Sequence, residues 1–258
     1  MSRRIDSLVA AIMAIASVPT TAQWLDYQTP GIPRMPDGKP NLTAPAPRKD
    51  GKPDLSGIWH AGQERKYFTD VTVDFKPGEF PIQPWAEALT EERRTGYQQK
   101  ERPDANCIPL GVPQYYDFGE PFKIIQEPGL VAILYEHFGW FRQIFLDGRP
   151  LPQDPNPTWL GYSVGQWEGD TLVVETTGFN GKKWLDQRGH PSTDALRTTE
   201  RFRRRDFGHL DIEFTVDDPK AYARPWTLKL PQLLYADTEL LEFVCNENEK
   251  DRKHMVDK

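Results

Sequence analysis

The stretch PFKIIQEPGLVAILYEHFGWFRQIFL, residues 121–146, decides the reading of the fold. Short runs of apolar, aromatic and β-branched residues are broken at Glu127-Pro128-Gly129 and again at Phe138-Gly139, the pattern of strands joined by tight turns. The same punctuation recurs at Asp147-Gly148, Gly169-Asp170, Phe179-Asn180-Gly181, Asp206-Phe207-Gly208 and Asp217-Asp218-Pro219. Between these turns the expected strands are 121–126, 130–136, 140–146, 161–167, 171–177, 196–205, 209–216, 225–230 and 239–246, and Leu55 to His60 adds one more. An antiparallel meander of nine or ten strands leaves long edges unless it closes, so a β-barrel is favoured over a sandwich.

Composition agrees with a single globular domain over 54–258. The chain has 258 residues, 38% hydrophobic and 27% charged, with 24 Pro and 19 Gly, which suits many short elements and disfavours a coiled coil or helical bundle. A formal charge of −6 opposes a generic nucleic-acid binder. One helix is expected at 84–99, where Pro84 opens it, Glu87, Glu91 and Glu92 favour its N-terminal half, and Arg102-Pro103 follows.

Residues 1–22 read as a secretory signal peptide: Arg3-Arg4, an apolar run from Leu8 to Val18, then small residues up to Ala22. That run is well short of the roughly 20 residues that span a bilayer, and no later segment reaches that length, so no transmembrane anchor is expected after cleavage. The protein is therefore expected to be exported, periplasmic or extracellular. Residues 23–53 form a Pro-rich extended arm with a near-duplication, Pro33 to Thr43 and then Pro47 to Ser56, read as two similar turns on the domain surface rather than a binding repeat. Export also lets Cys107 and Cys245, the only cysteines, pair as a disulfide. The rival readings, a catalytic thiol or a metal ligand, lack a CxxC or Cys/His cluster.

Four blocks carry a resemblance over nearly the whole mature chain: DGKPDLSGIW (50–59), RQIFLDGR (142–149), WEGDTLVVE (167–175) and ERF (200–202). They resemble a widespread uncharacterised family of exported bacterial proteins. The Gly57-Ile58-Trp59 opening strand and the hairpins resemble lipocalin-like barrels more weakly. The resemblance implies export and a barrel-like fold, and it brings no substrate or reaction.

Hairpin arithmetic indicates which charges turn inward. A three-residue loop at 206–208, with Gly208 left-handed, opposes Phe202 to Ile212 and Glu200 to Phe214, so Glu200 faces the interior and Arg201, Arg203 and Arg205 face solvent. A loop of even length reverses this assignment. The 138–139 hairpin opposes Tyr135 to Arg142 and Ile133 to Ile144, leaving Arg142 on the inner face as a partner for Glu200. Glu136 and His137 are expected on the rim. The long loop 184–192 places Asp186 four residues before His190, a spacing that lets the carboxylate orient the imidazole.

These residues define the candidate site: Glu200, His190, Asp186 and Glu136 as acids or bases, with Arg142, Tyr135 and His137 contacting substrate. An inward Arg142–Glu200 pair that merely satisfies itself is the competing structural reading. No cofactor is expected. A metal ion on His137, His190 and a carboxylate is the alternative, although no His pair has ligand spacing. Dinucleotide, P-loop and Gly-x-Ser-x-Gly signatures are missing. The leading function is an exported small-molecule lyase, isomerase or hydrolase using acid–base chemistry at a barrel mouth. A lipocalin-like carrier of an apolar or aromatic ligand and an envelope interaction protein are the alternatives. The oligomeric state is left open.

Overall fold

The computed structural model describes residues 28–63, 65–95, 102–245 and 247. The expected signal peptide lies outside these residues. A small hairpin, β1 (Arg48–Lys49) and β2 (Lys52–Pro53), precedes nine strands that close into one barrel. These are β3 (Gly57–Ala61), β4 (Phe122–Glu127), β5 (Leu130–Tyr135), β6 (Phe141–Phe145), β7 (Tyr162–Glu168), β8 (Thr171–Thr177), β9 (Arg197–Arg204), β10 (His209–Asp217) and β11 (Trp226–Leu234). Each pairs with its neighbours in sequence, and β11 returns to β3 to complete the ring.

The barrel departs from a pure antiparallel meander at one seam, where β6 and β7 pair in parallel through Ile144–Ser163 and Phe145–Val164. Parallel neighbours need a crossover, and here the chain turns at Asp147-Gly148 and returns along a segment carrying Pro150, Pro152, Pro155 and Pro157. The last barrel strand runs past its expected end at Leu230 to Leu234. Pro231 lacks a donor, but its carbonyl still accepts from Gly62 N at 2.8 Å, and Gln232 to Leu234 make the closing pairs with β3. The expected strand 239–246 does not form: residues 239–244 are irregular, because a closed barrel offers no free edge to pair with. The helix expected at 84–99 is present over Pro84–Arg94, and the part of its expected span beyond Thr95 lies outside the described residues.

Alternation fills the interior with Trp59, Phe122, Phe202 and Phe214, all essentially inaccessible. At one end Arg204 is also inward, on the same face as Glu200 and Phe202. Its guanidinium stacks over Trp59 and Phe207 and donates to the carbonyls of Asp54, Ser56 and Phe207, tying the arm to the barrel. Gly208 is not left-handed here. A Cβ on it would lie 2.4 Å from the Leu42 Cβ, so glycine is required by the docked arm, whose Leu42 carbonyl accepts from Gly208 N at 2.7 Å.

The opposite end is capped by the described residues between 62 and 121, among which are three α-helices, α1 (Lys66–Thr69), α2 (Pro84–Arg94) and α3 (Gln114–Asp117), and by the loop 178–196. Asp117 fastens the cap internally, accepting from Tyr67 N and Phe68 N at 2.8 and 2.9 Å. Cys107 and Cys245 are bonded, 138 residues apart in sequence with a Cα separation of 5.7 Å. The bridge holds an irregular C-terminal segment against the cap. Cys107→Ser is expected to lower the unfolding free energy by about 2–4 kcal/mol in urea titrations. An unchanged midpoint would show that the cap and C-terminal segment unfold independently of the barrel.

Candidate functional site

Barrel registers place the predicted inward charges together. β9 and β10 pair with Phe202 opposite Ile212 and Glu200 opposite Phe214, as the odd loop requires. Across β5 and β6 the register is two residues from expectation: Arg142 lies opposite Ile133, and Val131 opposite Ile144. The turn is longer than Phe138-Gly139, since a helical turn at His137–Gly139 intervenes and Tyr135 N donates to Trp140 O. A shift of two preserves parity, so Arg142 still points inward.

Arg142 and Glu200 form a two-point ion pair, Nη2 to Oε1 at 2.6 Å and Nη1 to Oε2 at 2.9 Å, with side chains 1% and 0% exposed. The other guanidinium hydrogens go to Ser163 Oγ at 2.9 Å, Thr176 Oγ1 at 2.7 Å and Tyr116 OH at 3.1 Å. Tyr116 in turn donates to Glu200 Oε2 at 2.8 Å. All five guanidinium donors are therefore engaged. Burial opposes the charge on Arg142, but the Glu200 carboxylate beside it holds the guanidinium well above its ordinary pKa. Burial, followed by the Glu200 charge, pushes the Tyr116 phenol up. This is a self-satisfied network sealed from solvent.

The loop residues lie elsewhere, on an open cleft of about 960 Å³ between α2 and the 184–190 segment, lined by Phe75, Phe80, Thr90, Arg94, Arg188 and His190. His190 Nδ1 meets Asp186 Oδ2 at 2.6 Å, and the buried Asp186 also accepts from Val71 N, Gly189 N and His190 N. Four hydrogen bonds make the carboxylate rigid. Phe80 packs its ring at 5.3 Å from the imidazole, edge to face. Arg93 clamps the loop from α2, donating to Gly189 O at 2.8 Å and lying over Trp184. Gly189 has φ +94, and a Cβ there would strike Arg93, so this position requires glycine twice over. His190 Nε2 is left without a partner among the described residues, on a side chain that lines the cleft.

Glu136 and His137 do not join either group. Glu136 Oε2 accepts from Leu241 N at 2.8 Å, so the C-terminal segment occupies it. His137 is buried rather than on the rim, packed against Phe118, Phe138 and Phe243 with both ring nitrogens unpartnered. Burial lowers its pKa to about 4. Tyr135 is buried inside the barrel, stacked on Tyr115 at 4.1 Å.

Among the described residues, the group with metal-ligand geometry is Asp70, Asp186 and His190, with ligand atoms within 4.8 Å of one another, and His137 is not part of it. Arg188 Nη1 already occupies Asp70 Oδ2 at 2.6 Å, and Asp186 is saturated by protein donors, so the cluster reads as a hydrogen-bonded network. Sequence reasoning did not select Tyr116, Lys183, Arg188 or the aromatic wall Phe75 and Phe80. All lie in the cap or its loop, where no two-residue period marks the inward face. Compared with known proteins, the sequence matches no family model and no curated protein.

Proposed function

We propose that this chain is an exported small-molecule enzyme whose acid–base group is His190, oriented by Asp186, in the cleft between α2 and the 184–190 loop. The observation that carries the reading is the 2.6 Å Nδ1–Oδ2 contact to a carboxylate fixed by three backbone N–H groups. Such a carboxylate sets the tautomer that leaves Nε2 ready to take a proton and stabilises the imidazolium that results. The hydroxyls lining the cleft are those of Thr72 and Thr90, and both donate within the protein, to Asp70 Oδ1 and Ala86 O. A proton taken from bound water or from the substrate itself therefore suits the site better than attack by a side-chain nucleophile. Arg188 and Lys76 stand on the same cleft for the negative charge that develops, and Phe75 and Phe80 offer an apolar wall. The chemistry is hydrolysis, elimination or isomerisation and uses no cofactor.

Export rests on the N-terminal sequence and the family resemblance, and it is supported by the disulfide. A carrier is the second reading, favoured by the closed barrel itself. Screening the mature chain against activated esters, lactones and small acids with acidic C–H bonds separates the two. For any substrate found, His190→Gln is expected to lower kcat by about 10²–10⁴-fold, and Asp186→Asn by a smaller factor. Turnover that survives His190→Gln defeats the proposal. Ligand retention with no turnover supports the carrier.

A further inference from the structure

Lys183 is 1% exposed, yet it has no carboxylate partner. Its ammonium makes a single hydrogen bond, 3.3 Å to Val112 O, and sits 4.0 Å from the centre of the Phe179 ring. The backbone is shaped around it: Gly111 has φ +76, and a Cβ there would fall 2.7 Å from Lys183 Cδ and 3.1 Å from Nζ. Burial, the nearby Arg142 charge and the partly compensating Glu200 charge together bring its pKa down to about 7.

The surroundings carry no net negative charge and hold surplus polar atoms. Arg142 and Glu200 neutralise each other, which leaves Lys183 as the excess cation beside them. Thr198 faces the barrel interior opposite Thr176, itself bonded to Arg142, and Thr198 Oγ1 is buried with no partner. Tyr135 OH is a second orphan, and its phenol feels both Arg142 and Glu200. The buried ammonium has one acceptor, Val112 O, for its three N–H groups, and two further hydroxyls are unpartnered, so donors outnumber acceptors here, and desolvated donors of this kind are normally satisfied by bound water or a ligand.

We infer that the capped end of the barrel holds a small monovalent anion, of halide or carboxylate type, bound by Lys183 with hydroxyl donors from Thr198 and Tyr135. The site is separate from the cleft and stands whether or not His190 is catalytic. Anion binding draws a proton onto Lys183, so affinity falls as pH rises. The other titratable groups facing it are Arg142, Glu200, Tyr116 and Tyr135; Arg142, Tyr116 and Tyr135 are all shifted upward, which keeps the guanidinium charged and the phenols neutral across pH 6 to 8.5. The expected loss of affinity over that range is on the order of tenfold or more.

The test uses the disulfide-bonded mature chain in halide-free, carboxylate-free buffer at pH 6, titrated separately with sodium chloride and sodium acetate, with sodium sulfate at matched ionic strength as control. Chloride or acetate is expected to raise the thermal midpoint saturably by about 3 °C or more, whereas sulfate, as an excluded salt, gives only a non-saturating rise that Lys183→Met shares. Response to chloride alone identifies a halide site, and response to acetate alone a carboxylate site. Lys183→Met should abolish the shift, and Thr198→Val should reduce it. Bromide-soaked crystals should show an anomalous peak within hydrogen-bond distance of Lys183 Nζ. Equal shifts in the parent chain and Lys183→Met, equal shifts with sulfate, or no shift and no bromide peak would each overturn the proposal.

Discussion

Arg142→Met, with Glu200 left in place, is expected to cost about 3–5 kcal/mol of unfolding free energy, the largest loss of any single change considered. The substitution removes five donors at once and strands a carboxylate that is 0% exposed. Glu200→Gln should cost less, because the amide keeps a carbonyl for Arg142 while losing the charge. The double variant Arg142→Met/Glu200→Leu should recover much of the loss, since it leaves no buried charge and restores apolar volume. Urea unfolding of the parent, Arg142→Met, Glu200→Leu and the double variant forms a complete cycle. A loss under about 1 kcal/mol for Arg142→Met would contradict the sealed-network reading. Catalysis at the cleft should be unaffected by Glu200→Gln wherever the variant is folded.

Lys183→Met should act in the opposite direction. In the folded chain this lysine keeps its proton only below about 7, against an ordinary value of 10.5. Between those values the unfolded chain binds more protons, so the parent protein gains stability from this group as pH rises through the window. The burden of the buried amine is largest at and below pH 7 and disappears toward pH 10.5. In anion-free buffer Lys183→Met is therefore expected to stabilise by about 3–5 kcal/mol near pH 6, with the gain shrinking steadily at alkaline pH. Equal unfolding free energies of the two proteins at pH 6 and at pH 10 would show that Lys183 is solvated. Saturating chloride or acetate should narrow the difference, because the anion stabilises the parent alone.

Much of the barrel was legible in the sequence for one reason: period-two alternation is local. The strand at 171–177 has the predicted limits, and the inward placement of Arg142 and Glu200 followed from counting residues around two turns. The Arg142 register was two residues out because a helical turn at 137–139 cannot be distinguished from a tight hairpin by Phe138-Gly139 alone. The expected tenth strand, 239–246, has strand-like composition but meets a sheet whose edges are all taken. Asp186 and His190 were paired correctly from their spacing, and their separation from Glu200 was not visible, since nothing local says on which side of the cap a loop will lie.

By itself the sequence determined a mainly β chain with turns at named positions, the alternation of faces along each strand, a single cysteine pair, and an aspartate within reach of a histidine. These depend on contacts a few residues apart or on a count that leaves one choice. Tertiary structure alone decided the parallel seam between β6 and β7, the docking of the arm on Gly208, the seating of Tyr116 on the Arg142–Glu200 pair, and the opening of His190 onto a cleft walled by α2. Each of those joins segments far apart in the chain, and their partners are chosen by closure of the barrel and burial of its cap rather than by any local preference.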